Sequence, residues 1–444
     1  MTYRDARAWL DGFINLERRP DPAGWTTIKL ERVVRLLELL GRPHLHGRVV
    51  HIAGSKGKGS TAAMVESVLR HSGARTGLYT SPDLVSHRER IRVSGTPISE
   101  AAVARLVAER LKPAAAQYAR EGHGDELSFF DLYTALAFCW FAEADVEWNV
   151  IEVGLGGRLD ATNVVHPTVC AITSLSLEHT QFLGDNLSAI AREKGGIIKP
   201  GAPVVLAPQA PEAEAVLAAL AAERGSRLVE ASGVESVPGG AFVELPDGQI
   251  GQRLRVKWGA TKVETCLPLL GAHQAVNAAV ARTLLSEAVP ELDAATVAEG
   301  LAAVHWPGRL QVLGRAPWLL LDGAHTPESA ERLATALKLF PHGRRCLIVG
   351  AARDKDVDGF LAAIGGSAAR IIVTGIPGHP RAASAEELAP VARRHHGEVA
   401  VASDPAAAIE MAIAWAEPED LVCVTGSLYL VGAVLEQRLG PEPA

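Results

Sequence analysis

Short, almost wholly apolar runs alternate along this chain with longer stretches in which apolar residues recur every third or fourth position. The runs at 49–52, 77–80, 148–153, 169–173 and 204–206 read as strands, and the stretches 62–70, 101–118 and 131–141 read as helices. Strands apolar on both faces, separated by helices, predict a parallel sheet covered on both sides. Between 232 and 266 the texture changes to glycines, prolines and short alternating segments, which predicts antiparallel strands or an edge hairpin. A helix follows at 273–287. After Trp306-Pro307-Gly308 a second α/β series begins, with strands at 318–321, 346–349, 371–373 and 421–424 and a helix at 328–337. The Pro-Gly break and the restart of the pattern place a domain boundary near residue 304, giving units 1–304 and 305–444.

Composition narrows the class. A chain of 444 residues, 48% hydrophobic and 21% charged, is a globular protein too long for one core. Its formal charge of −7 argues against a nucleic-acid or anionic-membrane partner. Any anion must therefore be attracted locally. Cys139, Cys170, Cys266, Cys346 and Cys423 form no CxxC pair, which reads as reduced thiols and neither a metal site nor a disulfide framework. The charged start Met1 to Arg7 is followed by no apolar leader core, and the longest apolar stretch, 132–142, is too short to span a bilayer. The expected location is the cytoplasm.

The segment Ala53-Gly54-Ser55-Lys56-Gly57-Lys58-Gly59-Ser60 lies between a strand and a helix and is built to hold a polyphosphate. Gly54, Gly57 and Gly59 let the backbone turn its N–H groups toward phosphate oxygens. Lys58 supplies a compact cation for the β and γ phosphates, the helix entered through Ser60 and Thr61 adds its positive end, and the Ser60 hydroxyl can sit on Mg²⁺. The usual pattern ends Gly-Lys-Ser/Thr; here Gly59 intervenes, which points to one branch of P-loop enzymes. A second informative run, 150–163, ends an apolar strand at Glu152 and continues through glycines to Asp160, Ala161 and Asn163. The carboxyl end of a strand is where an open α/β sheet places metal and substrate groups, so Glu152 is either a Mg²⁺ ligand or a buried structural carboxylate. Glu178 and His179 end a further strand, and His179 is a candidate for a metal or phosphate role.

The loop 54–60, Tyr79-Thr80-Ser81-Pro82 with Arg88-Glu89-Arg90-Ile91, the 152–163 run, Glu193-Lys194-Gly195-Gly196, Gly271 to Asn277, Trp306-Pro307-Gly308-Arg309, Asp322-Gly323-Ala324-His325, Asp354-Lys355-Asp356 and Gly426-Ser427-Leu428-Tyr429 together resemble folylpolyglutamate synthase, often bifunctional with dihydrofolate synthase, of the Mur ligase superfamily. The match runs in family order from about residue 10 onward. The resemblance implies a P-loop parallel-sheet ATPase domain followed by a smaller Rossmann-like domain, and an ATP-dependent amide ligase. Such an enzyme phosphorylates a carboxylate, and the amine of L-glutamate then attacks the acyl phosphate. By the same resemblance Ser60, Ser81, Glu152 and His179 match positions around Mg²⁺, and Lys194 matches a lysine that the family carries as a carbamate. Asn277, Arg309 and Asp322 match ATP contacts, and His325 and Ser427 lie near the incoming glutamate. Ser128, Phe130, Asp160 and Ala161 match positions that hold the pterin of dihydropteroate or a reduced folate; Arg88 joins them as a substrate candidate. Phe130 also reads as a core residue, and Lys194 as an ordinary helix-end lysine. Family members are usually monomers.

Five positions depart from the family pattern. Lys56 stands for a usual Asn, Asp83 for a His, Asp131 for a Glu, Glu178 for an Asp and Thr326 for an Asn. Asp83 places an anion near the expected path of a carboxylate substrate. It supports an alternative, a Mur-type ligase joining an amino acid to a different acid. A non-ligase P-loop NTPase is the remaining reading; it has no need of the motifs after residue 305.

Overall fold

The computed structural model describes residues 1–15, 29–122, 126–245 and 248–439. The first sheet uses β1 (Arg48–Ala53), β2 (Thr76–Tyr79), β3 (Ile91–Val93), β4 (Thr96–Pro97), β5 (Trp148–Glu152), β6 (Val169–Ile172), β7 (Val204–Leu206) and β8 (Leu228–Glu230), in spatial order β4-β3-β2-β5-β1-β6-β7-β8. From β2 to β8 across this order the strands are parallel, whereas β3 runs antiparallel to β2 and β4 to β3. The expectation of a parallel sheet holds for its body and fails at this edge, where a short reversal needs no crossover helix. β1 is central, paired with β5 and β6, and buried from Val49 to Ala53.

Both faces are covered because the helices present apolar surfaces. Helix Phe129–Glu143 is apolar nearly all round, and its Leu132, Leu136, Phe138 and Phe141 lie in one cluster with Leu36, Tyr79, Leu106 and Ile151. On the other face, helix Lys58–His71 packs against helices Ala272–Ala288 and Ala294–Ala302. The helix anticipated at 62–70 thus begins at Lys58, and that anticipated at 101–118 continues from Glu100 to Arg120 through a π turn at Val107–Leu111. The 232–266 segment is antiparallel as expected: β9 (Val234–Ser236), β10 (Val243–Glu244) and β12 (Thr261–Leu267) all pair with β11 (Ile250–Trp258).

The remaining strands, β13 (Gln311–Arg315), β14 (Trp318–Leu321), β15 (Arg345–Val349), β16 (Arg370–Val373), β17 (Val399–Val401) and β18 (Leu421–Thr425), form a second sheet in the order β13-β14-β18-β15-β16-β17. All neighbours are parallel except β13 with β14. Its carboxyl ends face the first sheet's P-loop across a cleft. The loop after β2 joins the two: Leu84 and Val85 pack with Leu430 and Val431 of helix Leu428–Leu439, so closely that a Cβ at Gly432 would overlap the Leu84 carbonyl.

Candidate active site

The cleft, about 400 Å³, is lined by residues from both sheets. Its floor is the loop that leaves β1. Gly54 (φ 148°) and Gly57 (φ 93°) hold conformations unsuited to a side chain, and a Cβ would overlap the Thr173 hydroxyl at the first and Asn277 Oδ1 at the second. Helix Lys58–His71 starts at Gly57 with no side-chain cap, so its first-turn N–H groups are left for a ligand. The Ser55 and Lys56 N–H groups are not available in the same way, because both donate to the Ser174 carbonyl at 3.0 Å. What the loop leaves open toward an anion is therefore the helix start, with Lys58 on the cleft wall. Gly59 lies under Trp306, and a Cβ there would stand 2.9 Å from the indole ring.

Glu152, at the end of β5, is buried and accepts from the Ser81 N–H at 3.1 Å. Burial raises its pKa, while Lys58 and Arg309 draw it back. The neighbouring anion, Glu178, lies between two lysines: Oε2 is 3.1 Å from Lys56 Nζ and Oε1 is 3.3 Å from Lys194 Nζ. Burial alone would raise the Glu178 pKa, yet Lys194, Lys56 and Lys58 hold it below the ordinary range. Lys194 is 2% exposed and also donates to the Gly54 carbonyl at 2.8 Å; burial lowers its pKa to about 8. It ends helix Leu187–Lys194 and is anchored under the loop. His179 (φ 49°) lines the cleft, and burial lowers it to about 3, so its imidazole is neutral at pH 7.

Opposite the loop, Gln274 Nε2 approaches Ser60 Oγ at 3.4 Å and its Oε1 accepts from Asn277 at 2.9 Å. Gln274 went unnoticed in the sequence, although its place one turn before Asn277 on one helix was a usable signal. Arg309 is half-buried beside Asp322, whose two oxygens accept the Ala324 and Leu310 N–H groups at 2.9 Å. His325 Nδ1 lies 2.8 Å from the Gly323 carbonyl, so Nδ1 carries the proton and Nε2 is bare. Burial lowers this histidine to about 3. Ser427 Oγ accepts from the Tyr429 N–H, and Lys355 and Arg381 complete this end of the wall.

The remaining lobe holds Ser128, Phe130, Asp160 and Ala161. Ser128 and Asp131 cap helix Phe129–Glu143 reciprocally, and Asp131 also lies 3.4 Å from Arg32. Phe130 both lines the cleft and crowds Gly154, so its core and ligand-facing readings coexist. Three anticipated residues are absent from the wall. Gly54 serves through its carbonyl to Lys194, Thr61 lies fully buried within the helix, and Arg88 is buried in the turn His87–Arg90. Asp83 also requires correction. Its oxygens are held by Arg90 Nε at 2.5 Å and His87 Nδ1 at 2.8 Å, and it does not line the cleft. Burial would raise its pKa, but Arg90 and His87 drive it well below the carboxylate range. Its charge is paired within its own loop, off the wall of this cleft.

The Mur ligase middle-domain family matches residues 52–285, more than half the chain, and the Mur ligase glutamate ligase domain matches 308–428. The folylpolyglutamate synthase of Lacticaseibacillus casei is 33% identical over 99% of both chains. This chain belongs to the folylpolyglutamate synthase/dihydrofolate synthase family of ATP-dependent Mur ligases. A probable bifunctional folylpolyglutamate synthase/dihydropteroate synthase of Haloferax volcanii is 40% identical over 90% of this chain, which spans 47% of that relative's length. The structure of Escherichia coli FolC in complex with DHPP and ADP superposes with TM-score 0.81 at 31% identity, covering 97% of each chain. The family's α/β fold is thus shared at both sequence and structural level, and no described helix is long and apolar enough to cross a membrane.

Proposed function

We propose that this ligase joins L-glutamate to dihydropteroate, to reduced folates, or to both, through an acyl phosphate. The observation that carries the reading is the single cleft that brings the phosphate-binding helix start, the Asn277–Arg309–Asp322 group, the Ser128–Phe130–Asp160–Ala161 lobe and the His325–Ser427 end together. ATP lies across the helix start with Lys58 on its terminal phosphates. Attack of the acceptor carboxylate on the γ-phosphorus breaks the bond to the β–γ bridging oxygen and leaves ADP. The amine of glutamate then attacks the acyl carbon, loses a proton, and expels phosphate. His325, neutral with Nε2 bare, lines the end of the cleft at which the amine is read to enter, where it can accept a hydrogen bond.

A Mg²⁺ ion fits this donor set. Among the described residues no three His, Cys, Asp or Glu side chains cluster as a metal cage, which suits an ion bound chiefly by phosphates, water and one or two protein oxygens. Glu152, Ser60 and Ser81 would hold it with neutral His179 nearby, and it would offset charge on the phosphates. Lys194 as a carbamate is a further element of the proposal. A pKa near 8 leaves a fraction of neutral amine able to add CO₂, but the Glu178 pair must first open. A ¹³CO₂-dependent carbamate signal in solid-state or solution NMR, absent from Lys194→Ala, checks this.

We also propose that 1–304 and 305–444 act as the two units of the site, in a monomer located in the cytoplasm. The deciding experiment mixes protein, ATP, Mg²⁺ and glutamate with dihydropteroate, tetrahydrofolate or neither, and follows phosphate release and pterin mass. A gain of one glutamyl unit is expected. Undetectable turnover of both pterins by folded, ATP-binding protein rejects the substrate assignment, and the family's ligase chemistry would then serve another acid.

A further inference from the structure

His51 lies in the middle of β1, the central strand, with no exposure, among neighbours that are otherwise apolar: Val49, Val50, Ile52 and Ala53. Strand propensity and core packing both favour an aliphatic residue there. Its Nε2 is 2.9 Å from Thr162 Oγ1, and Thr162 Oγ1 is 2.5 Å from Asp160 Oδ1, all three side chains being buried. Burial raises the Asp160 pKa while the Thr162 and Leu155 donors draw it back; as a carboxylate it only accepts, so the Thr162 hydroxyl donates to it. Thr162 Oγ1 in turn accepts a hydrogen bond from His51 Nε2–H, which leaves Nδ1 bare, and Nδ1 has no partner among the described residues. An orphaned acceptor costs less than an orphaned donor, so one tautomer satisfies the chain throughout.

Asp160 is the end of this chain that lines the cleft. Its Oδ1 is taken twice by Thr162, from the backbone N–H at 3.0 Å and from the hydroxyl, so a heterocycle's N–H can be received only at Oδ2. Oδ2 also accepts the Leu155 N–H at 2.9 Å, which fixes the plane of the carboxylate. We propose that His51 and Thr162 are positioning residues, a buried relay that aims Asp160 Oδ2 at the N–H edge of a pterin-like ring. This rests on the pterin reading of the lobe. The relay touches neither the nucleotide nor the glutamate end, so its loss separates the three substrates.

The test measures binding of dihydropteroate, and of a non-hydrolysable ATP analogue, by calorimetry on the full chain, with thermal melting as a control. Thr162→Val keeps shape but removes the hydroxyl. It is expected to weaken dihydropteroate binding by about tenfold or more, as loss of one hydrogen bond to a charged group does, while analogue affinity stays within about twofold. Thr162→Ser restores pterin binding to within about threefold. His51→Phe keeps the ring's bulk, removes the donor and gives the same pterin-only loss, so it decides the matter if Thr162→Val is poorly folded. Equal loss of both ligands in folded variants, or unchanged pterin affinity, overturns the relay. Absence of dihydropteroate binding by the unaltered protein overturns the pterin reading and, with it, this inference.

Discussion

Lys58 lies on the cleft wall at the start of an uncapped helix, and the buried Glu152 and Glu178 both feel its charge. Lys58→Ala is expected to reduce turnover at least about a hundredfold, as removal of one transition-state electrostatic contact does, with an unaltered melting temperature. Steady-state kinetics with saturating glutamate checks it. Asp83 acts on stability instead. Asp83→Asn leaves Arg90, 2% exposed, without its carboxylate and is expected to cost about 3–5 kcal/mol in denaturant unfolding. Because the folded-state pKa of Asp83 is depressed, its contribution is fully present above the unfolded value near 4 and is lost as pH falls through the folded value. The difference between wild type and variant should therefore persist from pH 8 to 5 and shrink only at lower pH. That role was not legible in the sequence. Asp83 reads there as an anion near substrate, since nothing in its spacing shows that Arg90 and His87 fold back onto it.

At the level of elements, the loop after β1 combines required glycines with a close partner from another segment. Gly57→Ala must fit a Cβ at φ 93° against Asn277 Oδ1. It is expected to weaken ATP-analogue binding by about tenfold or more and to lower stability by about 1–3 kcal/mol, measured by calorimetry and urea unfolding. Elements of this kind were readable because strand, glycines, lysine and helix follow one another within 25 residues. The same holds for the helix Ala272–Ala288 and for β14, β15, β16 and β18, which are apolar on both faces. β3, β4, β8 and β17 escaped notice because each has only two or three residues and their pairing is decided by a neighbouring strand, and β13, with five, escaped because none of its residues is fully buried. The relay behind Asp160 escaped for a related reason: His51 and Thr162 are 111 positions apart.

For the whole molecule, the contact between the loop after β2 and helix Leu428–Leu439 links the sheet that carries Ser81 and Glu152 to the sheet that carries His325 and Ser427. Gly432→Val would drive a branched side chain into the Leu84 carbonyl. The expected outcome is a looser joint: turnover falls by about tenfold, from misplacement of groups across the cleft, while affinity for the ATP analogue remains within about threefold. Kinetics beside calorimetry, with small-angle scattering for the separation of the two sheets, checks it. Unchanged turnover would mean that the joint tolerates displacement.

Trp306 gives the molecule an optical handle on its own nucleotide site. Its indole covers Gly59 at the helix start, its Nε1 has no hydrogen-bond partner among the described residues, and the Arg92 guanidinium carbon stands 5.9 Å from the ring centroid. An arriving polyphosphate changes the field and polarity at that indole without any label being attached. Eight tryptophans contribute to the emission, so the informative signal is the difference between wild type and Trp306→Phe as the ATP analogue is titrated. The residue that closes over the loop thus makes occupancy of the loop visible.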